Sequence, residues 1–117
     1  GIVLLKVALA LNPEPPEWYW FPFFLWHFER QDFEGALDMA LRARTEEFFW
    51  THLLHAVAYA AVGMRSEAAA AGKRLLGVYP GFPAKARAEL ARWVGPDRVE
   101  STVTLLATAG LKIPPAR

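Results

Sequence analysis

The side chains best suited to acid–base or metal chemistry in this 117-residue chain are three histidines and twelve carboxylates, with no cysteine among them. One arrangement has ligand-like spacing: His52-x-x-His55, with Glu47 about one turn earlier. Histidines three apart share a helical face, and a carboxylate one turn before them could complete a divalent-metal set that activates water for hydrolysis. A hydrolytic zinc helix normally carries His-Glu-x-x-His, which is absent, so no metal is assigned and a metal-dependent enzyme is the weakest functional reading. His27 reads as a core histidine rather than a general base. The chain has no nucleophile elbow, phosphate-binding glycine loop or paired-carboxylate arrangement, so no catalytic residue and no cofactor is expected. Lack of cysteine also excludes a disulfide scaffold, thiolate metal sites and a cysteine nucleophile.

A second signal is apolar. Of the 16 aromatic residues, 8 fall within the eleven positions Trp18 to Phe28, in the string WYWFPFFLWHF. Such a cluster suits a contact surface, a lipid or small-molecule pocket, or a core, and the elements that carry it decide which. With 54% hydrophobic residues, 21% charged residues and a net charge of +1, the chain has enough apolar surface to fold and enough length for one domain. Charge is uneven. Positions 13–50 hold eight acidic and three basic residues, whereas 64–98 hold three acidic and seven basic. The basic residues lack interleaved aromatics and read as a solvated face, so no nucleic-acid partner is expected. Head-to-tail association between copies is another outlet for the asymmetry.

Alanine (20) and leucine (15) far outnumber isoleucine (2), valine (8) and threonine (5), which points to an all-α fold. Proline and glycine stops divide the chain into helical segments at 2–11, about 17–30, 33–44, 46–62, 65–78, 84–94 and 96–109. Gly110 is placed to end the last one, with Leu111 as its hydrophobic contact. The first segment is too short to cross a bilayer, which takes about 20 residues, and lacks the basic flank and cleavage site of a secretory signal. A cytoplasmic location without membrane contact is therefore expected. Because that segment is apolar on every face, it needs cover, either from upstream residues of a longer chain or from a second copy in a homodimer.

Sliding the chain against itself aligns Phe49–Pro80 with Glu17–Thr45 at an offset of 32, and Ala36 then coincides with Ala68. On these residues the chain resembles the tetratricopeptide repeat, a helix-turn-helix unit of about 34 residues. Trp20, Phe23, His27, Ala36, Ala40 and Ala43 fall at the family's signature positions in the unit from Glu17. Ala56, Tyr59, Ala68, Leu75 and Pro80 do so in the unit from Phe49. Phe24 departs from a small residue, His52 and His55 take positions for large packing residues, and no proline closes the first unit. Ala8, Leu9, Leu11, Asn12 and Pro13 match the end of a preceding unit. Leu11-Asn12-Pro13, Pro16-Glu17-Trp18-Tyr19-Trp20, Ala58-Tyr59-Ala60-x-x-Gly63, Tyr79-Pro80-Gly81-Phe82 and Ala109-Gly110-Leu111 together look like the C-terminal repeat region of bacterial multidomain regulators that carry a class III adenylate/guanylate cyclase or a winged-helix domain upstream.

The resemblance implies an α-α superhelix: a half repeat at 2–13, repeats at 17–45 and 49–80, and a helical cap at 83–111. It also implies a regulatory or scaffolding tail that binds a protein or peptide in a concave groove. Trp18, Phe21, Leu25 and Phe28 would line that groove in one unit, and Trp50, Leu53 and Val57 in the next. No basic clamp for a terminal carboxylate is present, so an apolar helix or extended segment is the expected ligand. The alternative is a small-molecule or lipid-binding domain built on the Trp18–Phe28 cluster.

Overall fold

Strong helix formers between glycine and proline stops give six helices and no strand in the computed structural model, which describes residues 20–115. They are α1 (Trp20–Glu29), α2 (Phe33–Ala40), α3 (Phe49–Ala61), α4 (Arg65–Val78), α5 (Phe82–Ala91) and α6 (Pro96–Thr108). The fold is all-α. The expected half repeat at 2–13, the groove residue Trp18 and the N-terminal dimer contact lie outside the described residues.

Three helix ends share one hydrogen-bond pattern, the paired closure around a left-handed residue that satisfies the last carbonyls of a helix. After α1, Gln31 has φ 60°, with Gln31 N–H donating to Phe28 O at 3.0 Å and Asp32 N–H to His27 O at 2.9 Å. After α3, Gly63 has φ 85°, with donors to Ala60 O at 3.1 Å and from Met64 to Tyr59 O at 2.9 Å. After α6, Gly110 has φ 88°, and Leu111 N–H reaches Leu106 O at 3.1 Å while its side chain is buried, as its spacing predicts. The first two closures lie 32 residues apart, and so do the ends of α1 and α3 and the starts of α2 and α4. The offset read from the alanines is therefore a structural period.

Within each hairpin a fully buried alanine, Ala36 in α2 and Ala68 in α4, lets the helix axes approach. Helix α1 packs on α2, α2 on α3, α3 on α4, and α6 lies against α3, α4 and α5. Gly72 in α4 permits that last approach, because a Cβ there would stand 2.8 Å from the Ala109 carbonyl oxygen. Gly77, by contrast, faces open space. Polar ties hold the C-terminal layer down. Arg87 grips Glu100 at 2.7 and 3.0 Å and also donates to the Pro114 carbonyl, while Arg98 donates to the Glu29 carbonyl at 3.1 Å.

Helix α3 begins at Phe49 rather than at 46, after Phe48 in extended conformation, and the limits of α2 and α5 also differ from expectation. Helix α2 ends at Ala40 rather than Arg44, because the His55 imidazole donates from Nε2 to the carbonyls of both Ala40 (2.8 Å) and Ala43 (2.9 Å). The chain leaves the α-helix through two tighter turns, Arg42 N–H to Met39 O at 3.2 Å and Ala43 N–H to Ala40 O at 3.0 Å, and the α3 side chain shares the last of these carbonyls. Helix α5 spans Phe82–Ala91 rather than 84–94, since Pro83 fits its first turn, where an amide would have no partner.

Candidate functional site: an aromatic cleft

The period of α1 puts Phe21, Leu25 and Phe28 along one side of the helix, and α3 faces them with Trp50, Leu53 and Val57. The C-terminal layer divides these residues. Leu90, Val94 and Thr102, from the end of α5 through α6, fill the space between α1 and α3, so Phe28, Leu53 and Val57 are buried behind them around a void of about 20 Å3. The inner part of the expected groove is occupied by the chain itself. The outer part stays open: Phe21, Pro22, Leu25, Trp50 and Trp93 line a surface cleft of about 330 Å3.

Every side chain lining this cleft is apolar. Phe21 is its hinge, with the Trp93 ring 4.4 Å away at 45° and the Trp50 ring 6.0 Å away edge-on. Phe48 stacks on the far side of Trp50 at 5.7 Å and 18°. Aromatic pairs in such offset and edge geometries contribute about 0.5–1.5 kcal/mol each beyond burial, so the four rings form a preformed strip. Phe48 and Trp93, its two ends, are 48% and 47% exposed.

Sequence reasoning missed Trp93, Pro22 and Phe48. Trp93 sits in the α5–α6 turn, inside a segment read only as a cap, and joins the cleft because that turn folds back over α1. Its signal was a large aromatic between a charged helix end and the stop Gly95-Pro96.

The polar candidates are placed elsewhere. His55 spends Nε2 on the α2 carbonyls, and His52 aims its own Nε2 at the Glu46 carbonyl, 2.8 Å away. Both imidazoles thus turn a ring nitrogen to backbone. Burial is the main cause that holds His55 below the ordinary imidazole value, and hydrogen bonds to the two carbonyls oppose it. His27 bonds Asp32 through Nδ1 at 2.8 Å, and the other carboxylate oxygen of Asp32 caps α2 by accepting from Gly35 N–H at 3.1 Å. The backbone bond first and His27 second hold the Asp32 carboxyl below its usual range. Gly35 is required beneath this pair, because a Cβ would collide with both the carboxylate and the ring. Among the described residues no group of three or more His, Cys, Asp or Glu could hold a metal, and no helix is long and apolar enough to cross a membrane.

No family model, curated protein or solved structure matches the chain.

Proposed function

We propose that the domain is a non-catalytic protein-interaction module of tetratricopeptide type, whose aromatic cleft receives an apolar helix or extended segment of a protein partner. The observation that carries this reading is the cleft of about 330 Å3 lined by Phe21, Pro22, Leu25, Trp50 and Trp93, with no polar side chain among them. Small molecules are usually oriented by a few convergent polar groups, whereas a protein segment brings its own rim and needs only pockets for its anchors. The 32-residue period of the two hairpins supports the repeat assignment. On this reading the domain is the cytoplasmic regulatory or scaffolding tail of a larger bacterial protein and has no nucleic-acid partner.

Selection of phage-displayed peptides against the purified protein tests it. Enriched peptides should carry bulky apolar anchors at helical or alternating spacing. Their binding should weaken by about thirtyfold or more in Trp50→Ala or Trp93→Ala, as hot-spot truncations of about 2 kcal/mol do. Enrichment of nothing, or of peptides indifferent to both substitutions, would overturn the reading.

The cleft's size, at the lower end of the ligand-pocket range, supports the second reading of a small apolar molecule or acyl chain. Saturable, Trp93-dependent binding of a fluorescent fatty acid, with no peptide enriched, would select it.

A further inference from the structure

The three histidines commit their rings in two different ways. His52 and His55 turn Nε2 to backbone carbonyls, so that nitrogen is spent on the fold. His27 does the reverse. Its Nδ1 lies 2.8 Å from one carboxylate oxygen of Asp32, and no hydrogen bond joins its Nε2 to any described residue. An ionised carboxylate only accepts, so Nδ1 carries the proton and the neutral imidazole presents its lone pair at Nε2. The side chain is 21% exposed.

The pair is held in place by the backbone of α2. Gly35 N–H donates to the second Asp32 oxygen at 3.1 Å, which keeps the carboxylate from rotating away, and no side chain fits at position 35 beneath the two groups. A carboxylate bonded in this way fixes the tautomer of a histidine and stabilises the positive charge that forms when the other nitrogen attacks an electrophile. Next to the imidazole stands Trp26, its ring at 89° and 4.9 Å between centroids. Over Trp26 lies the guanidinium of Arg30, 4.4 Å from the ring, three positions beyond His27. Among the described residues Arg30 makes no ion pair.

These parts select one kind of electrophile. A metal ion needs a group of three or more donors, which is absent among the described residues. Phosphoryl transfer asks for a positioned nucleophile and a cation for the oxygens of the transferred group, and guanidinium is well suited to phosphate oxygens. We propose that His27 is a phosphoacceptor, whose Nε2 takes a phosphoryl group from a donor of the phosphoramidate class. The N–P bond of the donor breaks, its nitrogen leaves with the electron pair and takes up a proton, and an Nε2–P bond forms. Nδ1 keeps its proton on Asp32 throughout. One N–P bond is exchanged for another, so the step needs no further source of energy. By helical spacing His27 stands on another face of α1 from Phe21 and Leu25, and the site is independent of the cleft.

Incubation of the full chain with potassium phosphoramidate at neutral pH tests it, followed by intact mass and by nitrogen–proton correlation NMR. One phosphoryl group should appear on Nε2 of His27, at a rate about tenfold or more above that of N-acetylhistidine. Asparagine caps helices as well as aspartate does, so Asp32→Asn should keep the α2 cap and the circular dichroism while labelling falls toward the N-acetylhistidine rate. Arg30→Ala, whose side chain caps nothing, should slow labelling several-fold with the fold unchanged, and it decides the matter if Asp32→Asn alters the circular dichroism. Labelling at the N-acetylhistidine rate overturns the proposal. So does phosphate on His52 or His55, or labelling that neither substitution slows.

Discussion

The two helix hairpins place their turns 32 residues apart but hold them with different side chains. At the turn between α1 and α2 the left-handed position is held by Gln31, and the next helix is capped by Asp32, itself braced by His27. At the equivalent turn between α3 and α4 the left-handed residue is Gly63, and Met64 makes no side-chain cap. Where α1 buries Phe24, stacked on Phe28 at 5.5 Å and 14°, α3 places Ala56. Where α2 has Ala40, α4 has Gly72 under the end of α6. The first hairpin is thus fastened by aromatic bulk and a polar cap, and the second by small residues and a neighbouring helix. The spacing of the turns is the same in both hairpins, while the interactions that maintain it are exchanged.

That contrast can be broken most forcefully at Phe24. Phe24→Ala imposes the second hairpin's choice on the first without its covering helix, and should cost about 3–5 kcal/mol in chemical denaturation. A loss under 1 kcal/mol would show that bulk is not what holds α1. Gly72→Ala imposes the first hairpin's residue on the second. The new Cβ must push back the Ala109 carbonyl, a backbone group, so a loss of about 1–3 kcal/mol is expected, with no matching loss for Gly77→Ala beyond its effect on the helix. Exchanging the turn residues should give opposite signs. Gly63→Ala should destabilise by about 1 kcal/mol and Gln31→Gly should stabilise by several tenths, because only glycine adopts positive φ without strain.

The smallest effect at neutral pH is the one at His55, where the hairpins join. Folding disfavours the protonated imidazole, so the unfolded chain binds the extra proton. Its contribution is complete above the ordinary histidine value of about 6.5 and is lost as the pH falls through and below it. His55→Gln keeps an N–H donor for the α2 carbonyls and removes the titration. Its stability should therefore fall less steeply than wild type between about pH 6.5 and pH 5, and identical slopes would exclude His55 as the cause.

Much of this was legible in the residues. Glycine marks the ends of α3 and α6 because no other residue takes the left-handed conformation as cheaply, and α4 emerged with its expected limits, 65–78. Gln31 gives no such signal, since its conformation is imposed by the closure around it and by the Asp32 cap that follows. The early end of α2 was hidden for a different reason: its terminator, His55, lies 15 residues beyond Ala40. The cleft was half legible. Phe21, Leu25 and Trp50 stand at groove positions that the repeat resemblance implies, but an open array leaves Phe28, Leu53 and Val57 exposed, whereas here the α5–α6 layer covers them. Trp93 enters through that same layer, which no local pattern announces.

The bond from Arg98 to the Glu29 carbonyl joins groups 69 residues apart. Both hairpins close loops of a few residues and can assemble quickly, but this contact waits until most of the chain has been gathered, because loop-closure entropy grows with the length enclosed. Its place is therefore late in folding and early in unfolding. Weakening it, as in Arg98→Ala, should shorten the lifetime of the folded state while leaving the folding rate nearly unchanged. If Arg98→Ala has that effect, the layer that shields the inner groove is the part that lets go first, and the residues it uncovers are Phe28, Leu53 and Val57.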